Sequence, residues 1–177
     1  MVSPALRLIG VAVYSGETPW LRGCVKEFVE GLAEARGRVG VVLGGYRGGM
    51  RLVADECISR GIPVVMVIPR EYEDYEYPEE AIVVRTGMDV RGRSVVLVRS
   101  SDVLVALGGG AGTLMELVTA YSIGRSVVMV TCSGLPTDKF RDAYPDGVVD
   151  PRMGMAIRYV GSCREAAAEA LRILGLG

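Results

Sequence analysis

Apolar residues along the chain fall into short, nearly continuous runs separated by longer amphipathic stretches. Leu6–Tyr14, Val39–Leu43, Ile62–Ile68 and Ser126–Thr131 are dominated by Val, Ile and Leu, the pattern of strands buried on both faces. The run from Asp102 into Gly108 is of the same kind, and Ala81–Val84 and Met155–Val160 are shorter candidates. Between them, Trp20–Arg36 sets Leu21, Val25, Phe28, Val29 and Leu32 on one face at helical spacing. Further helices are predicted over Arg51–Arg60, stopped by Gly61, and over Val90–Ser100, Thr113–Ile123 and Arg164–Leu174. The last of these opens with Ser162 and Glu165 at capping-box spacing. Strands alternating with helices of this length predict right-handed crossovers. The expected fold is a single doubly wound Rossmann-like α/β domain over residues 1–177, its parallel sheet covered by helices on both faces.

Composition narrows the function more by what is missing than by what is present. Half of the 177 residues are hydrophobic, enough for one full core. No apolar run approaches the roughly 20 residues of a membrane span. Met1–Ala5 places no basic segment before a signal-peptide core, so a soluble, cytoplasmic protein is expected. A net charge of -1 without a strongly basic stretch gives no expectation of nucleic-acid or membrane partners. The absence of histidine excludes imidazole bases, Ser-His-Asp and Cys-His systems and His-ligated metals. Only Lys26 and Lys139 could form a Schiff base, and neither lies in a glycine-rich loop. Cys24, Cys57, Cys132 and Cys163 form no C-x-x-C pair; buried thiols and no metal site are expected. Neither Asn nor Gln occurs, against 18 arginines, which suggests a thermophilic source and makes an intracellular disulfide less improbable.

The chemistry concentrates in two glycine-rich turns. Asp102–Tyr121 reads as a buried strand running through Gly108, Gly109, Gly110 and Gly112 into a helix carrying Thr113 and Glu116. Free N–H groups and the positive dipole end of such a helix make an anion cradle. The second turn, Gly44–Met50, has Gly44, Gly45, Gly48 and Gly49 between strand and helix. Thr86–Ser94 adds Arg91 and Arg93, able to make bidentate contacts to a phosphate. Each has a plainer reading. Thr113 and Glu116 also form a capping box in which Glu116 bonds the N–H of Thr113, and the residues alone favour that. Either arginine, taken singly, is expected in solvent. Tyr72, Tyr75 and Tyr77 could stack a base or simply face water. The acidic, tyrosine-rich Pro69–Glu80 and the long Cys132–Asp150 segment follow strand ends, where lids and solvated or oligomer-contact loops are both found. Neither glycine turn follows the first strand, so a dinucleotide-binding dehydrogenase is disfavoured.

The order of G-G-x-x-G-G-M after the second strand, T-G-M with a following arginine, and S-S-D-V-L-V-A-L-G-G-G-A-G-T-L-M-E resembles the LOG-like Rossmann proteins, long mislabelled lysine decarboxylases. The branch containing molybdenum-cofactor carriers is most similar, over about Ile9–Val130. The resemblance implies a phosphoribohydrolase that splits the N-glycosidic bond of a nucleoside 5'-monophosphate, releasing base and ribose 5-phosphate. It implies Arg93 and Glu116 as catalytic residues. Gly109, Gly110, Gly112 and Thr113 would hold the phosphate, with Gly44, Gly45, Gly48, Gly49 and Met50 also at the ligand, and Ser15, Gly16, Thr86, Met88 and Arg91 as further candidates. No cofactor or metal would be required for catalysis, although a bound nucleotide or molybdopterin cofactor is compatible, and a homo-oligomer, dimer or larger, is expected. Two departures from the enzymes stand out: Gly108 replaces a proline ahead of the glycine turn, and Ser94 replaces a lysine beside the arginine. They leave open a carrier or sensor that binds without turnover, and an oligomerisation domain with a vestigial site.

Overall fold

In a computed structural model, which describes residues 6–177, seven parallel strands form one sheet in the order β4-β3-β2-β1-β5-β6-β7. They are β1 (Arg7–Val13), β2 (Val39–Leu43), β3 (Val64–Ile68), β4 (Ile82–Arg85), β5 (Val103–Gly108), β6 (Val127–Val130) and β7 (Arg158–Val160). The helices are α1 (Pro19–Leu32), α2 (Gly49–Ser59), α3 (Val90–Arg99), α4 (Ala111–Ser122), the single turn α5 (Phe140–Ala143) and α6 (Cys163–Ile173). The doubly wound reading therefore holds. β7 is shorter than its apolar run: Met155 and Ala156 lie before it as irregular chain. Helices α2 and α4 begin two residues earlier than the hydrophobic period suggests, inside their glycine turns.

The apolar runs lack polar alternation because both faces are covered. Val11, Val41, Met66, Val105 and Val128 point into a core under α1, α2 and α6. Ala12, Val42, Val67, Leu104 and Met129, their neighbours in sequence, point into a second core under α3 and α4. α1 and α6 are joined by a disulfide between Cys24 and Cys163, 139 residues apart in sequence. This corrects the expectation of four buried thiols. Of the cysteines only Cys57 is a buried free thiol, its pKa pushed up to about 12 by burial, and Cys132 is exposed. The sequence could not disclose the pairing, because it depends on how two helices from opposite ends of the chain pack.

Strand order reverses at β1, which pairs with β2 on one side and β5 on the other. The chains leaving these strands diverge, opening a crevice at their carboxyl ends. A register shift between Ala12 and Val13 sets Val13 opposite Gly108 at that edge. Among the described residues no helix is long and apolar enough to cross a membrane.

Candidate functional site

A cavity of about 330 Å³ occupies the crevice, bounded by Ser15 after β1, Gly44 after β2, Arg91, Arg93 and Ser94 of α3, and the first turns of α4. Both glycine turns contribute backbone. The N-cap of α4 is Gly110, which has no side chain to cap the helix. The leading N–H groups at Ala111, Gly112 and Thr113, which no helix satisfies internally, thus face the cavity with the positive end of the dipole. The N–H of Gly109 is not among them, since it donates to Thr137 Oγ1 at 3.0 Å, while the N–H of Thr137 donates back to the Gly109 carbonyl at 3.1 Å. The start of the long 132–150 segment is thereby fastened to the glycine turn as a short 3-10 helix, Pro136–Lys139.

Arg93 and Glu116 meet in the cavity wall. Arg93 Nη1 donates to Glu116 Oε1 at 3.1 Å, and Ser94 Oγ donates to the same oxygen at 2.9 Å. Both partners of the ion pair are buried, with side chains 8% and 10% exposed. Glu116 is therefore not closing a capping box on Thr113; the carboxylate turns away from its own helix end toward α3. Arg93, expected singly in solvent, is buried because α3 lies against α4, whereas Arg91 is exposed at the rim. Burial pushes the Glu116 carboxyl above its ordinary range, opposed by Arg93 and by the Ser94 hydrogen bond. Burial likewise lowers Arg93, opposed by Glu116. Arg93 Nε is buried without a hydrogen-bond partner. A buried guanidinium N–H left unpaired is unfavourable, and an oxygen-rich ligand in the cavity could satisfy it.

Two glycines of the second turn are required by space. A Cβ at Gly44 would lie 1.8 Å from Arg93 Nη1, so any side chain there displaces the arginine. Gly48 has φ +50°, and a Cβ on it would lie 2.1 Å from the carbonyl oxygen of Ser15, so the turn after β2 is seated directly on the turn after β1. Gly49 completes this joint, its N–H lying 3.0 Å from the carbonyl oxygens of Tyr14 and Gly16.

The expected site residues thus separate into groups. Ser15, Gly44, Met50, Arg91, Arg93, Gly110, Gly112, Thr113 and Glu116 line the cavity. Gly45 lines an adjoining chamber. Gly16, Gly48, Gly49 and Gly109 hold the turns together from behind. Thr86 and Met88 line neither space: Thr86 Oγ1 donates to the Ile68 carbonyl at 2.8 Å and accepts from the N–H of Met88 at 3.2 Å, tying off the end of β3. Among residues not singled out as ligands, Ser94 supports Glu116, and Arg47 stands in the adjoining chamber. Arg47 was detectable as the one cation inside a glycine turn.

A parallel α/β sheet with a glycine-capped helix N-terminus and a buried Arg–Glu pair at its switch point defines a broad class of Rossmann-like proteins. Within it, the family model of the SLOG cluster4 family matches residues 12–149, and the chain belongs to that family. Over 112 residues it is 34% identical to the cytokinin riboside 5'-monophosphate phosphoribohydrolase LOG5 of Arabidopsis thaliana, covering 61% of this chain and 49% of that protein. The chain spans about half the length of the curated relatives it matches. The X-ray structure of TM1055 superposes with a TM-score of 0.83 at 30% identity, covering 94% of this chain and 99% of that one. The molybdenum cofactor carrier protein of Chlamydomonas reinhardtii shares the fold, with a TM-score of 0.77 at 20% identity over 97% of this chain and 99% of the carrier.

Proposed function

We propose that the chain is a nucleoside 5'-monophosphate phosphoribohydrolase. The observation that carries this reading is the buried Arg93–Glu116 pair beside a helix N-terminus with unpaired N–H groups. The 5'-phosphate would sit on Ala111, Gly112 and Thr113 at the start of α4, with the arginine at the rim as a second anchor. The ribose would then lie along the wall that holds Glu116. Cleavage breaks the bond from the anomeric carbon to the base nitrogen, whose electron pair leaves with the base. The oxocarbenium-like centre left behind is stabilised by a carboxylate. Glu116 also orients the water that attacks that centre; one water proton stays on the new anomeric hydroxyl and the other is balanced by the proton the departing base takes up from solvent, while Arg93 keeps the carboxylate ionised and fixed despite its burial. None of these steps calls on histidine, lysine or a metal.

The test is chromatographic detection of free base after incubation with AMP, GMP, CMP, UMP and IMP. Wild type is expected to release base and Glu116→Gln to release none. Binding of nucleotide with no release by wild type sinks the hydrolase reading. It would leave a carrier or sensor that holds a phosphorylated ligand, molybdopterin cofactor included. That second reading is favoured by Ser94, which places a neutral hydroxyl on Glu116 where the LOG-like enzymes carry a lysine. The cradle and the adjoining tyrosine-lined chamber offer such a ligand an anion site and a flat apolar wall. A homo-oligomer is part of the same proposal, supported by the exposed apolar side chains of Val95 on α3, Val118 on α4 and Ile123 at the carboxyl end of α4. Light scattering showing a monomer would remove it.

A further inference from the structure

A second chamber of about 230 Å³ opens from the cradle, sharing Ser15, Gly44, Met50, Val90 and Arg93 with it. Its other walls are Gly45, Tyr46, Arg47, Tyr72, Tyr75 and Tyr77. Three of these tyrosines come from the irregular crossover between β3 and β4, where Arg70–Tyr72 forms a 3-10 turn in place of a full helix.

The phenol groups are largely committed to holding the chamber in shape. Tyr46 donates to Asp55 Oδ1 at 2.5 Å, and Tyr77 donates to the Tyr72 carbonyl at 2.7 Å. The Tyr72 hydroxyl accepts from Arg47 Nη1 at 3.1 Å, and the Arg47 guanidinium carbon lies 5.4 Å from the Tyr72 ring centroid. Tyr75 packs against Tyr72 with centroids 5.1 Å apart and is 52% exposed. Ring surface is therefore what the chamber offers, with a guanidinium fork at one side.

Its polar chemistry is weighted toward donation, because its charged lining groups are both guanidinium. Arg47, Ser15 and the Tyr72 and Tyr75 hydroxyls can all donate. No carboxylate or side-chain amide lines it; the chain contains no Asn or Gln. The nearby carboxylates of Asp55 and Glu73 are engaged with the Tyr46 hydroxyl and the N–H of Gly87. A ring carbonyl finds a cationic donor here in Arg47, whereas an exocyclic amine in the same place finds only hydroxyl oxygens, and no carboxylate or side-chain amide, to accept from it.

We infer that this chamber is the ring subsite of the ligand whose phosphate sits at α4, and that it selects two-ring heterocycles bearing a ring carbonyl, such as 6-oxopurines, over adenine and over single-ring pyrimidines. The inference rests on the phosphate reading of the cradle. Two rings cover more of the tyrosine faces than one, and a hydrogen bond from the Arg47 guanidinium to the carbonyl separates hypoxanthine from adenine.

The test is calorimetric titration of the full chain carrying Glu116→Gln, which prevents turnover, with IMP, GMP, AMP, UMP and ribose 5-phosphate. IMP and GMP are expected to bind about tenfold more tightly than AMP or UMP, the scale of one charge-assisted hydrogen bond. Ribose 5-phosphate binds weakly but measurably. Arg47→Met should close the gap between IMP and AMP, and Tyr75→Leu should weaken all nucleotides, both leaving ribose 5-phosphate unchanged. AMP binding as tightly as IMP, or both variants behaving as their parent, overturns the ring subsite while ribose 5-phosphate binding keeps the cradle. Failure of ribose 5-phosphate and every nucleotide to bind overturns the cradle reading and this inference together.

Discussion

The two faces of the sheet are built on different principles. Under α1, α2 and α6 the core is broad and almost wholly apolar, and a disulfide ties α1 to α6. Under α3 and α4 the apolar core is smaller, and its upper end gives way to Arg93, Ser94 and Glu116. One face holds the strands in place; the other spends part of its interior on charge. A buried ion pair contributes little net stability over a well-packed apolar pair, so its presence points to chemistry, while the opposite face can be read as structure alone.

Breaking the pair is expected to have the largest effect. Arg93→Ala leaves Glu116 buried without its cation and should lower unfolding free energy by about 3–5 kcal/mol, while removing base release; denaturant titration beside the base-release assay reads both. If stability is untouched, the contrast between the faces is wrong. Next comes the staple. Cys24→Ser should lower stability by about 2–4 kcal/mol, seen as a drop in melting temperature, with nucleotide affinity unchanged. An equal loss of affinity would mean that the α1–α6 side shapes the crevice after all.

A smaller effect is expected at the fastening between the long loop and the glycine turn. Thr137→Val removes the acceptor for the buried Gly109 N–H and should destabilise by about 1–3 kcal/mol. Amide hydrogen exchange should then accelerate at Gly109 more than in β5 as a whole. The mildest change is in pH dependence. In the proposed reaction Glu116 acts as a carboxylate, and burial raises its pKa, so base release should fall on acidification at a pH above the ordinary carboxylate range. Ser94→Ala removes a hydrogen bond that lowers this pKa, so the acid limb should move to higher pH. A shift to lower pH would mean that Ser94 does not support the ionised carboxylate.

The sheet was legible because strands covered on both sides need no polar alternation, and runs such as Val103–Leu107 say so directly. The glycine turns that border the crevice were legible for a similar reason: glycines crowded between a buried strand and a helix mark a place where the backbone turns and is approached closely. Glu116 shows where local pattern stops. Its spacing from Thr113 predicts a cap, yet α3 supplies better partners from 22 and 23 residues back in sequence, and a desolvated carboxylate takes the cation. Thr86 and Met88 show the converse: they lie in a motif that ends at the cavity, but their hydrogen bonds close the end of β3 and they line neither chamber. The disulfide and the Gly109–Thr137 clasp depend on packing between distant segments and leave no mark in local sequence.

The Cys24–Cys163 bond also makes a closed covalent ring of everything between those residues. Arg93, Glu116, both glycine turns and all four tyrosines of the second chamber lie inside it. A protease that cuts the exposed crossover at Tyr75 therefore yields two polypeptides but not two molecules. The pieces would part on a denaturing gel only after reduction, and under oxidising conditions the nicked protein would still carry the whole set of residues around its crevice.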